Sequence, residues 1–266
     1  MKNINISIIQ TELAWEDKLA NLNHFETCLQ QIPEDSRLVV LPEMFTTGFS
    51  MNPKKLAEKM SGQSVEWMRK QAISLNKTIV GSLIIEENSQ YYNRLIWMKP
   101  DGEFQYYNKH HCFRYANEHL HYADGDKELI VELEGWKLAC YICYDLRFPV
   151  WSRNTNLKYD VALYIANWPA KRREHWKTLL KARAIENQCY TIGVNRIGKD
   201  GGNLSHSGDS CVINEQGEKI SNTEPNKVSI ETITLNAINL IDYRKKFPTY
   251  LDADKFNICS KNNNKK

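Results

Sequence analysis

Hydrophobic and polar residues alternate with two different periods along the N-terminal part of the chain. Residues 4–8 alternate isoleucine with polar residues, which is the period of two expected of a β-strand with one more polar face. Apolar residues then recur every three or four positions over 16–32, which predicts a helix that Pro33 ends. The apolar run 38–41 predicts a short strand that is covered on both faces.

The same two periods continue to the C-terminal region. They predict helices at 64–75 and 173–187, a hairpin of 95–98 with 104–107, and strands at 78–85, 137–142, 161–166, 190–195, 210–213, 219–221 and 228–235. Alternating strands and helices with some hairpins indicate an α/β protein with mixed sheets. Because no repeat, linker or break in composition interrupts the pattern, we predict a single domain over 1–259 and a polar C-terminal tail over 260–266.

Composition narrows the class of protein. The 266 residues carry 35 Lys and Arg against 32 Asp and Glu, a net charge of +3 that is far below the excess of a nucleic-acid binder. No apolar run approaches the roughly 18 residues of a membrane span, and polar residues interrupt any signal-peptide core at the N-terminus. The seven cysteines are odd in number and scattered, so we expect a reducing compartment and a cytoplasmic protein. From the small net charge and the short apolar runs we expect no nucleic-acid or membrane partners.

Three reactive side chains follow predicted strands directly. Glu43, Lys109 and Cys143 each lie just after an apolar run, where ligands bind in open α/β sheets. Taken singly, each is also compatible with a solvated loop residue or a small core thiol. Cys140 and Cys143 form a C-x-x-C, but residues three apart in a strand lie about 10 Å apart on opposite faces. We therefore predict that Cys140 is a core residue and that Cys143 emerges at the strand end.

A segment rich in histidine raises the alternative of a metal site. Residues 109–125 contain Glu118 and four histidines, His110, His111, His119 and His121. The spacing is not the H-E-x-x-H of a helical zinc site, and nearby aromatic and amide residues are equally typical of a pocket lining. A metal-dependent hydrolase remains an alternative that this segment alone does not exclude.

Seven blocks in sequence order resemble the nitrilase, or carbon-nitrogen hydrolase, superfamily. They are LPEMFTTGF (41–49), YNKHHCF (107–113), EHLHYADG (118–125), CYICYDLRFP (140–149), IANWP (165–169), ARAIENQCYTIGVNRIG (182–198) and HSGDSCVI (206–213). The sequence resembles most the omega-amidase branch, which hydrolyses 2-oxoglutaramate. The resemblance implies a four-layer αββα sandwich, a homodimer, and a catalytic triad of Glu43, Lys109 and Cys143. A second family glutamate, which positions the substrate, matches Glu118.

These residue types imply a reaction without a metal or organic cofactor. Cys143 would attack a small-molecule amide while Glu43 moves protons, and Lys109 with the backbone N–H of Tyr144 would stabilise the negative oxygen. Candidates for binding a substrate carboxylate are Arg114, Arg147, Arg172 and Arg173, and candidates for the pocket walls are Phe45, Phe113 and Trp168. The alternatives are another superfamily amidase, an N-carbamoyl hydrolase or a nitrilase, and a non-catalytic binding protein.

Overall fold

Thirteen strands form two large mixed sheets and one small hairpin in the computed structural model, which describes residues 1–258. The strands are β1 (Ile4–Gln10), β2 (Ser36–Val40), β3 (Thr78–Glu87), β4 (Gln90–Met98), β5 (Phe104–Asn108), β6 (Ile130–Leu133), β7 (Trp136–Ile142), β8 (Val161–Ala166), β9 (Tyr190–Asn195), β10 (Ile197–Lys199), β11 (Ser205–Ser207), β12 (Cys211–Ile213) and β13 (Ser229–Leu235). The helices are α1 (Lys18–Leu29), α2 (Pro53–Leu56), α3 (Gln63–Leu75), α4 (Glu118–His121), α5 (Arg173–Asn187) and α6 (Ala237–Lys246).

The two large sheets share one plan. The first has the order β13-β1-β2-β3-β4-β5 and the second the order β12-β9-β8-β7-β6. In both sheets three adjacent strands are parallel, β1-β2-β3 in the first and β7-β8-β9 in the second, and antiparallel strands flank them. Because parallel strands point their carboxyl ends in one direction, each sheet presents a row of strand ends at one edge.

The sheets pack face to face and helices cover their outer faces. The central core joins the isoleucines of β1 to apolar side chains of β7 and β8. On the outer face of the first sheet, α1 and α3 pack through Phe25 and Met68, whereas α5 and α6 contribute Trp176 and Leu240 to the core around the second sheet. The predicted four-layer αββα sandwich is confirmed.

Most predicted elements are confirmed, and one is wrong. Strands β8 and β9 and helix α5 have the predicted bounds. The segment 219–221 is not a strand, because Lys219 makes only an isolated bridge to Ile213. The face of β1 that was expected to be more polar is covered as well, since Ser7 is fully buried and hydrogen-bonded to Ser36 and Thr232.

Two further predictions concern the C-terminal tail and membrane-spanning segments. The predicted tail, 260–266, lies outside the described residues. Within residues 1–258 no helix is both long enough and apolar enough to cross a membrane.

Candidate active site

Glu43 lies three residues beyond β2 and is completely buried between the two sheets. Its carboxylate accepts hydrogen bonds from Asn93 Nδ2 at 2.7 Å, from Lys109 Nζ at 2.9 Å and from the backbone N–H of Asn167 at 2.7 Å. The side-chain amide of Asn167 also donates to the Glu43 carbonyl oxygen. A buried carboxylate needs such donors, and here residues from both sheets supply them.

Lys109 follows β5 directly and is buried between two carboxylates. Its ammonium donates to Glu43 Oε1 at 2.9 Å and to Glu118 Oε1 at 3.0 Å. Burial acts to lower the pKa of Lys109, but the charges of Glu118 and Glu43 outweigh it and hold that pKa well above its usual range. Lys109 therefore keeps its positive charge at neutral pH.

Glu118 begins the short helix α4 and has no exposed surface. Its Oε2 accepts the backbone N–H of Phe113 at 2.5 Å, while its other oxygen accepts from Lys109. Burial raises the pKa of Glu118 and the charge of Glu43 adds to the rise, whereas Lys109 and the Phe113 N–H oppose it. Glu118 thus gives the lysine a second carboxylate partner besides Glu43.

Cys143 is the first residue after β7 and begins a 3₁₀ turn, Cys143–Arg147. Its φ of 44° lies in the left-handed region, an uncommon backbone conformation that recurs at functional sites. Burial raises the pKa of the Cys143 thiol well above its usual range; Glu43 adds to the rise and Lys109 opposes it. The thiol is therefore protonated in the resting protein, and its activation requires a base.

The two halves of the C-x-x-C lie in different surroundings, as predicted. Cys140 is fully buried in the core between the sheets, and Cys143 lines a cavity. Both are free thiols.

Asp145 joins the turn after β7 to the loop after β5. It accepts hydrogen bonds from Tyr107 Oη at 2.8 Å and from the backbone N–H groups of His111 and Ile142, both at 3.0 Å. His111 Nδ1 lies 2.8 Å from the same carboxylate. Because Lys109 and Cys143 flank these contacts in the sequence, Asp145 sets their relative position.

A cavity of about 380 Å³ opens above Cys143 and Lys109. Its walls include Phe113, Trp168 and Tyr144, so two of the three predicted aromatic wall residues are confirmed. Phe45 is the exception: it packs against α1 and α3 in the outer core, with its ring 5.4 Å from that of Phe25. The positive φ of Met44 directs Glu43 and Phe45 to different sides of the first sheet.

Two of the four candidate arginines line this cavity. Arg147 stacks 4.7 Å above the ring of Trp168, and Arg172 lies 5.5 Å from the ring of Phe113. Neither guanidinium forms a salt bridge with a carboxylate of residues 1–258. Arg173 instead pairs with Asp209 at 2.6 Å, and the exposed Arg114 is not part of the cavity lining.

Two histidines of the segment 109–125 stack on aromatic rings. His110 stacks on Trp151 with ring centroids 3.6 Å apart, and His111 pairs with Asp145 while stacking on Phe148. No group of three or more His, Cys, Asp or Glu side chains suited to hold a metal ion occurs between residues 1 and 258.

Sequence reasoning missed three polar residues at this site. Asn167 follows β8 directly, as Cys143 follows β7. The position at a strand end that indicated Cys143 therefore indicates Asn167 as well. Asn93 lies inside β4, and Asp145 sits in a turn among other polar residues, so neither position carries a comparable signal.

Comparisons with known proteins agree with this geometry. The carbon-nitrogen hydrolase family model matches residues 5–243. The chain is 45% identical over 258 residues to omega-amidase YafV of Escherichia coli (strain K12), covering 97% of this chain and 100% of that protein. It is 34% identical over 220 residues to 2-oxoglutaramate amidase of Bacillus subtilis (strain 168), covering 81% of this chain and 85% of that protein.

A solved structure extends the agreement to the whole fold. A carbon-nitrogen hydrolase superfamily protein of Xanthomonas campestris, solved with an arsenic adduct in its active site, superposes with a TM-score of 0.94. The two chains are 42% identical, and the match covers 97% of this chain and 100% of the other. The αββα sandwich of this chain is that of a carbon-nitrogen hydrolase. This chain belongs to the carbon-nitrogen hydrolase family.

Proposed function

We propose that this protein is an omega-amidase that hydrolyses 2-oxoglutaramate to 2-oxoglutarate and ammonia through a thioester on Cys143. The observation that carries the proposal is one cavity that joins Cys143 and Lys109, which is paired with Glu43, to two arginines without carboxylate partners among the described residues. Relatives at 45% and 34% identity that are named omega-amidase and 2-oxoglutaramate amidase support it.

The acylation step follows from the protonation states. Cys143 is a thiol at rest, so Glu43 takes its proton as Sγ attacks the amide carbonyl carbon. The carbonyl oxygen becomes an oxyanion, which the Lys109 ammonium and the backbone N–H of Tyr144 stabilise. Protonated Glu43 then gives its proton to the amide nitrogen, the carbon–nitrogen bond breaks, and ammonia leaves.

Deacylation reuses the same groups. Glu43 accepts a proton from water as the water oxygen attacks the thioester, and the same two donors stabilise the second oxyanion. Glu43 then returns the proton to the departing Cys143 sulfur. Glu118 acts as a positioning residue, because it accepts a hydrogen bond from the Lys109 ammonium.

The arginines account for the choice of substrate. The substrate has a 2-oxo carboxylate at the end opposite the amide, and a guanidinium binds a carboxylate through two parallel hydrogen bonds. Arg147 lies four residues after the nucleophile and faces the same cavity, with Arg172 beside it. We assign the carboxylate to Arg147, with the charge of Arg172 as support.

A substrate panel with ammonia detection tests this function. We expect 2-oxoglutaramate and 2-oxosuccinamate to be hydrolysed with higher kcat/KM than N-carbamoyl amino acids, simple nitriles or butyramide, which has the amide but no carboxylate. Faster turnover of a nitrile or an N-carbamoyl amino acid would identify a different member of the family. A chelator in the assay should leave the rates unchanged.

Oligomeric state and compartment belong to the same proposal. We propose a homodimer, which sedimentation should record as twice the 31.0 kDa mass of one chain. A cytoplasmic location suits a nucleophile that must remain a reduced thiol, and free Cys143 fits it.

A further inference from the structure

Arg147 is held on two sides at the wall of the catalytic cavity. It ends the 3₁₀ turn that Cys143 begins, and its guanidinium stacks on Trp168. Its Nη2 lies 3.0 Å from Nδ1 of His175, in the first turn of α5. Burial and the nearby charge of Arg172 lower the pKa of Arg147, so the site concentrates positive charge without a carboxylate against it.

The contact defines the protonation state of the histidine. A guanidinium has only N–H donors, so His175 Nδ1 must accept the hydrogen bond and must itself carry no proton. The imidazole is therefore neutral, with its proton on Nε2. His175 is exposed, but the next residue, Trp176, is fully buried and anchors this turn of α5 in the core.

A neutral acceptor suits an arginine that has to bind an anion. A carboxylate in the place of His175 would also orient Arg147, but it would neutralise the guanidinium and compete with a substrate carboxylate. An imidazole fixes the side chain and leaves its charge available. Because a free arginine side chain loses rotamer entropy when it is ordered, prior ordering favours binding.

We propose that His175 is a positioning residue that holds Arg147 ready for the carboxylate of the substrate. The inference rests on the proposed function, since it takes Arg147 as the carboxylate-binding residue. His175 does not touch the substrate; it acts through Arg147. Its loss should therefore change binding of carboxylate-bearing molecules and leave the chemical step intact.

Two variants separate positioning from packing. His175→Ala removes the acceptor. His175→Asn keeps an acceptor oxygen near the position of Nδ1. Thr178→Ala, an exposed change on the same helix, is the matched control. The measurements are KM and kcat for 2-oxoglutaramate, the inhibition constant of 2-oxoglutarate, and KM for butyramide.

We expect His175→Ala to raise both KM for 2-oxoglutaramate and the inhibition constant of 2-oxoglutarate about three- to ten-fold, with kcat within about two-fold. KM for butyramide should not change. His175→Asn should restore binding, and Thr178→Ala should match the wild type.

Three results would overturn the inference: unchanged KM in His175→Ala, no rescue by asparagine, or an equal loss with butyramide. If the wild-type protein itself preferred butyramide to 2-oxoglutaramate, the proposed function would fail first and this inference with it.

Discussion

Three buried charged groups of alternating sign meet within hydrogen-bond distance at Lys109. Glu43 and Glu118 both accept hydrogen bonds from its ammonium, and both carboxylates are fully buried. One ammonium cannot neutralise two carboxylates, and burial together with Glu43 raises the pKa of Glu118. The cluster keeps the lysine charged and at the same time holds Glu43 next to the thiol that it has to deprotonate.

The role of Glu118 can be tested through the pH profile. Glu118→Gln removes a charge that raises the pKa of Lys109, so burial should lower that pKa relative to the wild type. Since activity needs the ammonium, it is lost as pH rises through this pKa, and the alkaline limb of kcat/KM should move to lower pH. The exposed Glu132→Gln is the control. An alkaline limb that stays in place would contradict this role.

Cys143 and Cys140 offer a matched pair for testing the nucleophile. Cys143→Ala should reduce ammonia release by about four orders of magnitude or more, because no other group at the site can form the thioester. Cys140→Ala, in the core three residues earlier, should retain hydrolysis. Circular dichroism checks that both variants fold, and intact mass should record a substrate adduct only when Cys143 is present. Substantial activity in Cys143→Ala would refute the mechanism.

At the scale of elements, the site forms where strand ends of the two sheets meet. Glu43 and Lys109 follow β2 and β5 of the first sheet, and Cys143 and Asn167 follow β7 and β8 of the second. Asn167 crosses the interface by donating to Glu43, and Asp145 crosses it by accepting from Tyr107 and His111. The turns are therefore held together by polar contacts as well as by the core beneath them.

Asp145→Asn tests this link between elements. The amide keeps the size of the carboxylate but places N–H donors among groups that themselves donate, so we expect a loss of about 1–3 kcal/mol in the free energy of unfolding. The turn that carries Cys143 should also lose its position, so kcat should fall. Urea unfolding and steady-state kinetics measure both effects. Asp242→Asn, exposed on α6, should change neither. Unchanged stability of Asp145→Asn would argue against the link.

At the scale of the molecule, one hydrophobic core joins both sheets to α5 and α6. It contains isoleucines of β1, near the N-terminus, together with Leu235 and Leu240 near the end of the described chain. Because the two ends of the chain share this core, separating one sheet from the other would expose apolar side chains of both. We therefore infer that the whole fold is a single cooperative unit.

Thermal unfolding tests this inference. Far-ultraviolet circular dichroism, tryptophan fluorescence and calorimetry should give one coincident transition, with the calorimetric enthalpy equal to the van't Hoff enthalpy. Two separate transitions would indicate sheets that unfold independently and would contradict a single domain.

Much of the fold was predictable because its signals are local. The run 161–166 is apolar throughout and 173–187 repeats its apolar residues at helical spacing, so both elements formed as predicted. The strand predicted at 219–221 does not form, because a strand also needs a neighbouring strand to pair with. Only Lys219 makes a bridge there. The prediction that Phe45 forms a wall of the pocket is wrong for a related reason. The backbone conformation of Met44 decides which side of the sheet the phenylalanine reaches.

The sequence by itself determined the strands and helices, the reactive residues that follow the strands, and the family to which the chain belongs. These properties depend on short-range spacing and on residue type. Only the tertiary structure decided that Glu43, Lys109 and Glu118 share one buried cluster beside Cys143, that Asp145 links two turns, and that Arg147 faces the cavity with a neutral histidine behind it. Such contacts join residues far apart in the chain, and they arise only when two sheets pack face to face.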